Sequence, residues 1–220
     1  MTLYFAPLEG VTDAVFRRIH HECFPGVSKY FIPFISPTQN LAFTSRDWAA
    51  IAPENNIGVP AVPQLLAKDA ALFLWAARAL CDMGYPEVNL NLGCPSGTVT
   101  AKGKGSGLLA DVPALERLLD GIFEKPPIPV SIKTRIGYAR VEEWDRLLDV
   151  FARYPIHELI IHPRTRAEFY RGTPHADAFA KAYGTLGMPL CYNGDLFSEA
   201  DCLELTRHFP NTHALMLGRG

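Results

Sequence analysis

Eight short β-rich apolar runs punctuate the chain, at Leu3–Ala6, Tyr30–Ile35, Ala61–Leu66, Glu87–Leu92, Val130–Thr134, Glu158–Ile161, Leu190–Tyr192 and Ala214–Leu217. Between several of them apolar residues return every three or four positions, as in Asp69–Met83, Val112–Phe123, Val141–Tyr154 and Ser198–His208, which is helical spacing. Strand followed by helix, repeated, predicts a parallel sheet covered by helices. Asp69, Asp111 and Ser198 stand where helix N-caps belong, and Pro113 suits a first helical turn. Eight strands in 220 residues without a Ser/Gly-rich linker favour one closed (β/α)8 TIM barrel, an α/β fold usually of about 250 residues. An open doubly wound sheet is the alternative, but the first strand lacks a GxGxxG turn. Ser36–Ile57 reads as a long loop holding a short helix.

A formal net charge of −2 argues against a uniformly basic nucleic-acid binder, so any polyanion site must be local. The five cysteines, at 23, 81, 94, 191 and 202, form no CxxC pair and no zinc spacing, and His20–His21 have no ligand partners at metal spacing. No metal is expected. The chain shows neither a cleavable leader nor an apolar run able to span a membrane, and a reducing cytoplasm is its expected setting. Nothing points to an obligate protein partner.

In a barrel of this kind the C-terminal ends of the strands converge on one mouth. There the sequence places Pro7 and Leu8, Gln64, Asn91 and Cys94, Lys133 and Arg135, His162 and Arg164, then Asn193, Gly194 and Asp195, and finally Gly218 and Arg219. Taken singly, Gln64 reads as a loop amide, Lys133 as a snorkelling cation and His162 as a satisfied histidine. Together they make a costly strand edge unless something satisfies them. The "YNGDL" and "LGRG" ends combine glycines with an arginine where such barrels hold phosphates, although Asn193–Gly194 is also an ordinary turn pair. Lys133 suits either a flavin ring that develops negative charge or a Schiff base in an aldolase-like barrel; composition and spacing leave both open.

Cys94 lies in "NLNLGCPSGTV", and the run "PSGTVTAKGKGSGLLA" that follows holds no acid before Asp111. It reads as a mobile, basic loop or as a plain solvated connection. Arg164, Arg166, Arg171 and His175 lie close together after the sixth strand with only Glu168 opposing them, so the near-neutral chain is expected to present a basic face at the mouth.

The segments "FAPLEGVTDAVFR", "NLNLGCPSGTV", "IKTRIGY", "HPRTR", "YNGDLFS" and "LGRG" occur in the order seen in tRNA-dihydrouridine synthases, which the chain resembles over nearly its whole length. The resemblance implies FMN-dependent reduction of a uridine C5–C6 double bond in tRNA, with NADPH as reductant. It implies hydride transfer to C6 and a proton from Cys94 to C5. Pro7, Leu8, Gln64, Lys133 and His162 would then meet the flavin ring, and Asn193, Gly194, Gly218 and Arg219 its phosphate, with Asp195 also in the cofactor site. Asn91 would hold the uracil, and Lys102, Lys104, Arg135, Arg164 and Arg166 would contact RNA. Leu8 replaces the more familiar Met, Asn89 sits where Asp is common, and Pro163 follows His162 where Gly is usual. The sequence is thus expected to be one FMN-binding barrel over residues 1–220, lacking the last helix and the family's C-terminal helical tRNA-gripping domain. A barrel acting on a small pyrimidine, like dihydroorotate dehydrogenases, is the rival enzyme. A catalytically impaired flavin- or RNA-binding barrel is the rival outside catalysis.

Overall fold

The computed structural model describes residues 1–219. Eight parallel strands, β1 (Leu3–Phe5), β2 (Val27–Ile35), β3 (Ala61–Leu65), β4 (Val88–Leu92), β5 (Val130–Arg135), β6 (Leu159–His162), β7 (Leu190–Tyr192) and β8 (Ala214–Leu217), pair in chain order. β8 returns to β1 through Leu3–Leu215, Tyr4–Met216 and Phe5–Leu217, which closes the barrel. Helices α1 (Ala14–Cys23), α2 (Ser45–Ile51), α3 (Ala70–Asp82), α4 (Gly97–Thr100), α5 (Val112–Glu124), α6 (Glu143–Phe151), α7 (Ala176–Thr185) and α8 (Glu199–His208) form the crossovers. The segment 36–57 holds α2 and a 3-10 turn at Pro53–Asn56, as its composition suggests. No described helix is long and apolar enough to cross a membrane.

The caps act as expected. The carboxylates of Asp69 and Asp111 accept the N–H of Leu72 and Ala114, and Ser198 exchanges bonds with Asp201 in a capping box. Outward-facing strand residues such as Val88, Leu90 and Leu92 join the inner faces of α3, α5 and α6 in one large apolar layer. Trp144 is buried there, and its indole N–H donates to the Ala178 carbonyl at 2.8 Å, tying α6 to α7.

The barrel interior is divided by chemistry. Tyr4, Ala6, Phe31, Val62, Ile160, Cys191, Ala214 and Met216 fill an apolar half. The other half is polar: Gln64, Asn89 and Ser131 are fully buried, and Glu87 and Asn91 nearly so. Strand pleating explains this, because Glu87, Asn89 and Asn91 alternate with Val88, Leu90 and Leu92 and so share the inward face.

Candidate active site at the barrel mouth

Two adjoining cavities open at the C-terminal ends of the strands. The larger, about 410 Å3, is lined by Gln64, Asn91, Cys94 and Arg135; the smaller, about 90 Å3, by Asn193, Gly194, Asp195 and Gly218. Both touch Pro7, Leu8, Lys133, His162, Tyr170 and Arg219, which stand between them.

Lys133 is the pivot. Strand pairing sets it level with Asn91, Ile160, Cys191 and Ala214, and its ammonium has no hydrogen-bond or ion-pair partner among the described residues. Burial, reinforced by the Arg135 guanidinium, pushes its pKa down to about 8. The main-chain N–H groups of Gly194, Asp195 and Gly218 likewise have no acceptor among the described residues. A Cβ on Gly194 would collide with the Tyr192 hydroxyl, so that glycine also seats Tyr192. Orphan donors beside an unpaired lysine and a half-exposed Arg219 fit an anionic, phosphate-bearing ligand such as FMN.

Two of the expected RNA contacts, Arg164 and Arg135, are engaged by the protein's own acceptors at the mouth. Arg164 is fully buried and donates to both oxygens of Asp195, at 2.8 and 2.5 Å, and to the carbonyls of Arg171 and Gly172. Arg135 is also buried and donates to the carbonyls of Gly93, Thr165 and Phe169. Desolvating an arginine requires acceptors, and distant loops supply them here; both guanidiniums brace the mouth. Arg164, on Asp195, lowers that carboxyl's pKa, as Arg219 does to a lesser degree. His162 is buried, and its pKa falls well below the usual histidine value through desolvation and the surrounding Arg135, Lys133, Arg164 and Arg219. Its Nε2 accepts from Arg164 at 3.3 Å, so the neutral ring carries its proton on Nδ1.

Asn91, expected to hold the uracil, lines the same cavity and is also engaged within the protein. Its Oδ1 accepts the N–H groups of Gly93 (3.1 Å) and Cys94 (2.9 Å), and its Nδ2 donates to Gln64 Oε1 (2.7 Å). Its side chain therefore shapes the Cys94 turn, and only one N–H is left over for a ligand. The glycine-rich stretch beyond is folded. It forms α4 and a 3-10 turn at Gly105–Ala110, with Ser106 Oγ donating to the Cys94 carbonyl at 2.7 Å. At Gly105, φ is +55° and a Cβ would meet Val99 and Cys94 at 3.0–3.1 Å; glycine serves packing there.

Lys102 is exposed and Lys104 half-buried on this folded segment, outside the cavities. The Lys104 pKa is lowered by burial and by Lys102 and Lys68, so three amines crowd one rim. Arg166 packs over Tyr138 and Phe169 and donates to the Pro95 carbonyl.

Comparison with known proteins adds a match to the dihydrouridine synthase family model over residues 4–220. The chain belongs to that family. The chain is 28% identical to tRNA-dihydrouridine synthase B of Pasteurella multocida, covering 99% of the chain and 65% of that protein. It is 34% identical to probable tRNA-dihydrouridine synthase 1 of Synechocystis, over 91% of the chain and 57% of that protein. Against tRNA-dihydrouridine(16) synthase of Aquipseudomonas alcaligenes it is 27% identical, over 100% and 71%. The chain thus spans about two thirds of the length of these relatives. Among solved structures, a variant of NCR from Zymomonas mobilis superposes at TM-score 0.64 and 12% identity, over 99% of the chain and 81% of its own. A morphinone reductase mutant in complex with tetrahydroNAD gives 0.64 and 9%, over 99% and 82%; both share the barrel fold.

One residue of the barrel mouth is not singled out by the sequence. The half-exposed Tyr170 ring lies 4.3 Å from the Arg219 guanidinium, 5.3 Å from that of Arg135 and 5.9 Å from the His162 ring. Its signal was an aromatic pair inside an arginine-rich loop after a barrel strand.

Proposed function

We propose that this domain reduces a uridine in tRNA to 5,6-dihydrouridine, with FMN as its flavin and NADPH as the reductant. The observation that carries the reading is that Cys94 and the unpaired Lys133 line one cavity at the barrel mouth. When bound, the flavin supplies the hydride that is added at uracil C6. Cys94 gives its thiol proton to C5 as general acid, completing addition of two hydrogens across the double bond. Lys133 and the N–H groups of Gly194 and Gly218 hold the cofactor's negative charge, with Arg219 beside them. Leu8 and Pro7 present apolar surface to its ring, and neutral His162 offers an Nδ1–H. The base must leave its stack to enter so recessed a mouth. Lys102, Lys104 and Arg166 contact the phosphate backbone on the rim.

The test is the absorption of the purified chain between about 350 and 500 nm, the range of a bound flavin, followed anaerobically through NADPH and then unmodified tRNA. Bleaching by NADPH and recovery on tRNA support the reading. Cys94→Ala is expected to keep the bleaching and to slow the recovery by about 10²- to 10⁴-fold, the usual contribution of a general acid. A Schiff-base role for Lys133 is the second reading, favoured by the same lowered pKa. It predicts no flavin uptake and covalent trapping of an aldehyde by borohydride.

A further inference from the structure

A line of hydrogen bonds crosses the barrel from Cys94 to its opposite end. The Cys94 N–H donates to Asn91 Oδ1 (2.9 Å), Asn91 Nδ2 to Gln64 Oε1 (2.7 Å), Gln64 Nε2 to Asn89 Oδ1 (2.7 Å) and Asn89 Nδ2 to Ser131 Oγ (2.9 Å). Ser131 Oγ then donates to Glu87 Oε1 (2.5 Å), whose other oxygen accepts from Lys29 Nζ (2.6 Å). Lys29 also bonds Glu158, at 3.1 Å.

Every donor from Cys94 to Ser131 points the same way, and the two ends dictate it. Main-chain N–H groups can only donate, so Asn91 must turn its oxygen to Gly93 and Cys94 and its NH2 inward. Gln64 and Asn89 must follow in the same sense, because an amide flipped alone would set donor against donor. At the far end a carboxylate can only accept, which fixes the Ser131 hydroxyl and locks the line from behind. A neutral amide at 87 would accept or donate equally well and leave that end unset.

We propose that Glu87, acting through Ser131, Asn89 and Gln64, is a positioning residue for Cys94: its charge locks the polarity of the line from the far end and so holds the Asn91 oxygen against the Cys94 N–H. The catalytic consequence rests on the reading of Cys94 as the acid; the geometry does not. Asn89 is the informative link. A carboxylate there would accept directly from Gln64 and make Glu87 dispensable, so this chain anchors the line at 87.

The experiment is an amide-proton spectrum of protein labelled with 15N-cysteine, with the Cys94 resonance assigned by its loss in Cys94→Ser. Ser131→Ala and Glu87→Gln are each expected to move the Cys94 amide proton upfield and to speed its exchange roughly five- to tenfold, the effect of weakening one ordinary hydrogen bond. Adding Asn89→Asp to Glu87→Gln is expected to restore both, a rescue that loss of general stability would not produce. Cys23, Cys81 and Cys202 serve as unmoved controls of the fold. A Cys94 resonance that stays put in the folded single variants, or a double variant no nearer wild type than Glu87→Gln, would overturn the proposal. Should Glu87→Gln fail to fold, Ser131→Ala, which leaves both Lys29 ion pairs intact, decides alone. The measurement needs neither flavin nor tRNA, so a failure of the proposed reduction leaves its outcome readable.

Discussion

A lysine held in a barrel without a counter-charge costs stability until an anion arrives, and Lys133 is in that position. In the folded chain it loses its proton near pH 8, against 10.5 for the ordinary side chain. Between those values the unfolded chain binds more protons, so stability rises with pH across that window. Affinity for an anionic ligand runs the other way and weakens as pH climbs through about 8. Lys133→Met is therefore expected to raise the urea midpoint of the ligand-free protein at pH 7, by about 1–3 kcal/mol in stability, while weakening FMN uptake in the same titration. The mouth was legible in the sequence because strand ends collect at one rim, and nearly every residue named there lines a cavity. The roles of Arg135 and Arg164 were not. Arg135 is satisfied by carbonyls up to 42 residues away and Arg164 by the Asp195 carboxylate 31 residues on as well as by two nearby carbonyls, and nothing local announces a buried cation satisfied at such distances. The polar line was half visible: Glu87, Asn89 and Asn91 repeat at the strand period, but their partners Gln64 and Ser131 come from other strands.

At the scale of elements, capping chemistry is local and was readable, which is why α3, α5 and α8 start where Asp69, Asp111 and Ser198 direct. Asp111→Ala removes the acceptor of the Ala114 N–H and is expected to cost about 0.5–2 kcal/mol, read as a lowered midpoint of thermal unfolding. The segment after Cys94 was the element least legible, because its glycines suggest freedom when counted and close packing when placed. Gly105→Ala combines a left-handed backbone with contacts near 3 Å to two residues, Val99 and Cys94. We expect a loss of about 1–3 kcal/mol, together with a shift of the Cys94 amide resonance, since Cys94 is among the residues displaced. β2 begins at Val27, three residues before its apolar run, because Lys29 faces Glu87 and Glu158 inside the barrel rather than solvent.

For the whole molecule, a net charge of −2 hides an uneven distribution. Lys68, Lys102 and Lys104 crowd one rim of the mouth, close enough to depress the last of them. If tRNA lies across this rim, Lys102→Ala and Lys104→Ala each reduce the slope of log affinity against log salt by about one. Filter-binding titrations from low to moderate salt measure that slope, and an unchanged slope in the double variant would place the RNA elsewhere. Closure of the barrel carries a consequence in time. Leu3 pairs with Leu215, so the ring cannot seal during synthesis until β8 has left the ribosome, and β1 waits with an open edge until then. Pro7 and Leu8 follow β1, while Gly218 and Arg219 follow β8. The act that removes the vulnerable edge also brings these two ends of the ligand cradle together, so a ligand bridging them acts as a clasp on the last seam to form.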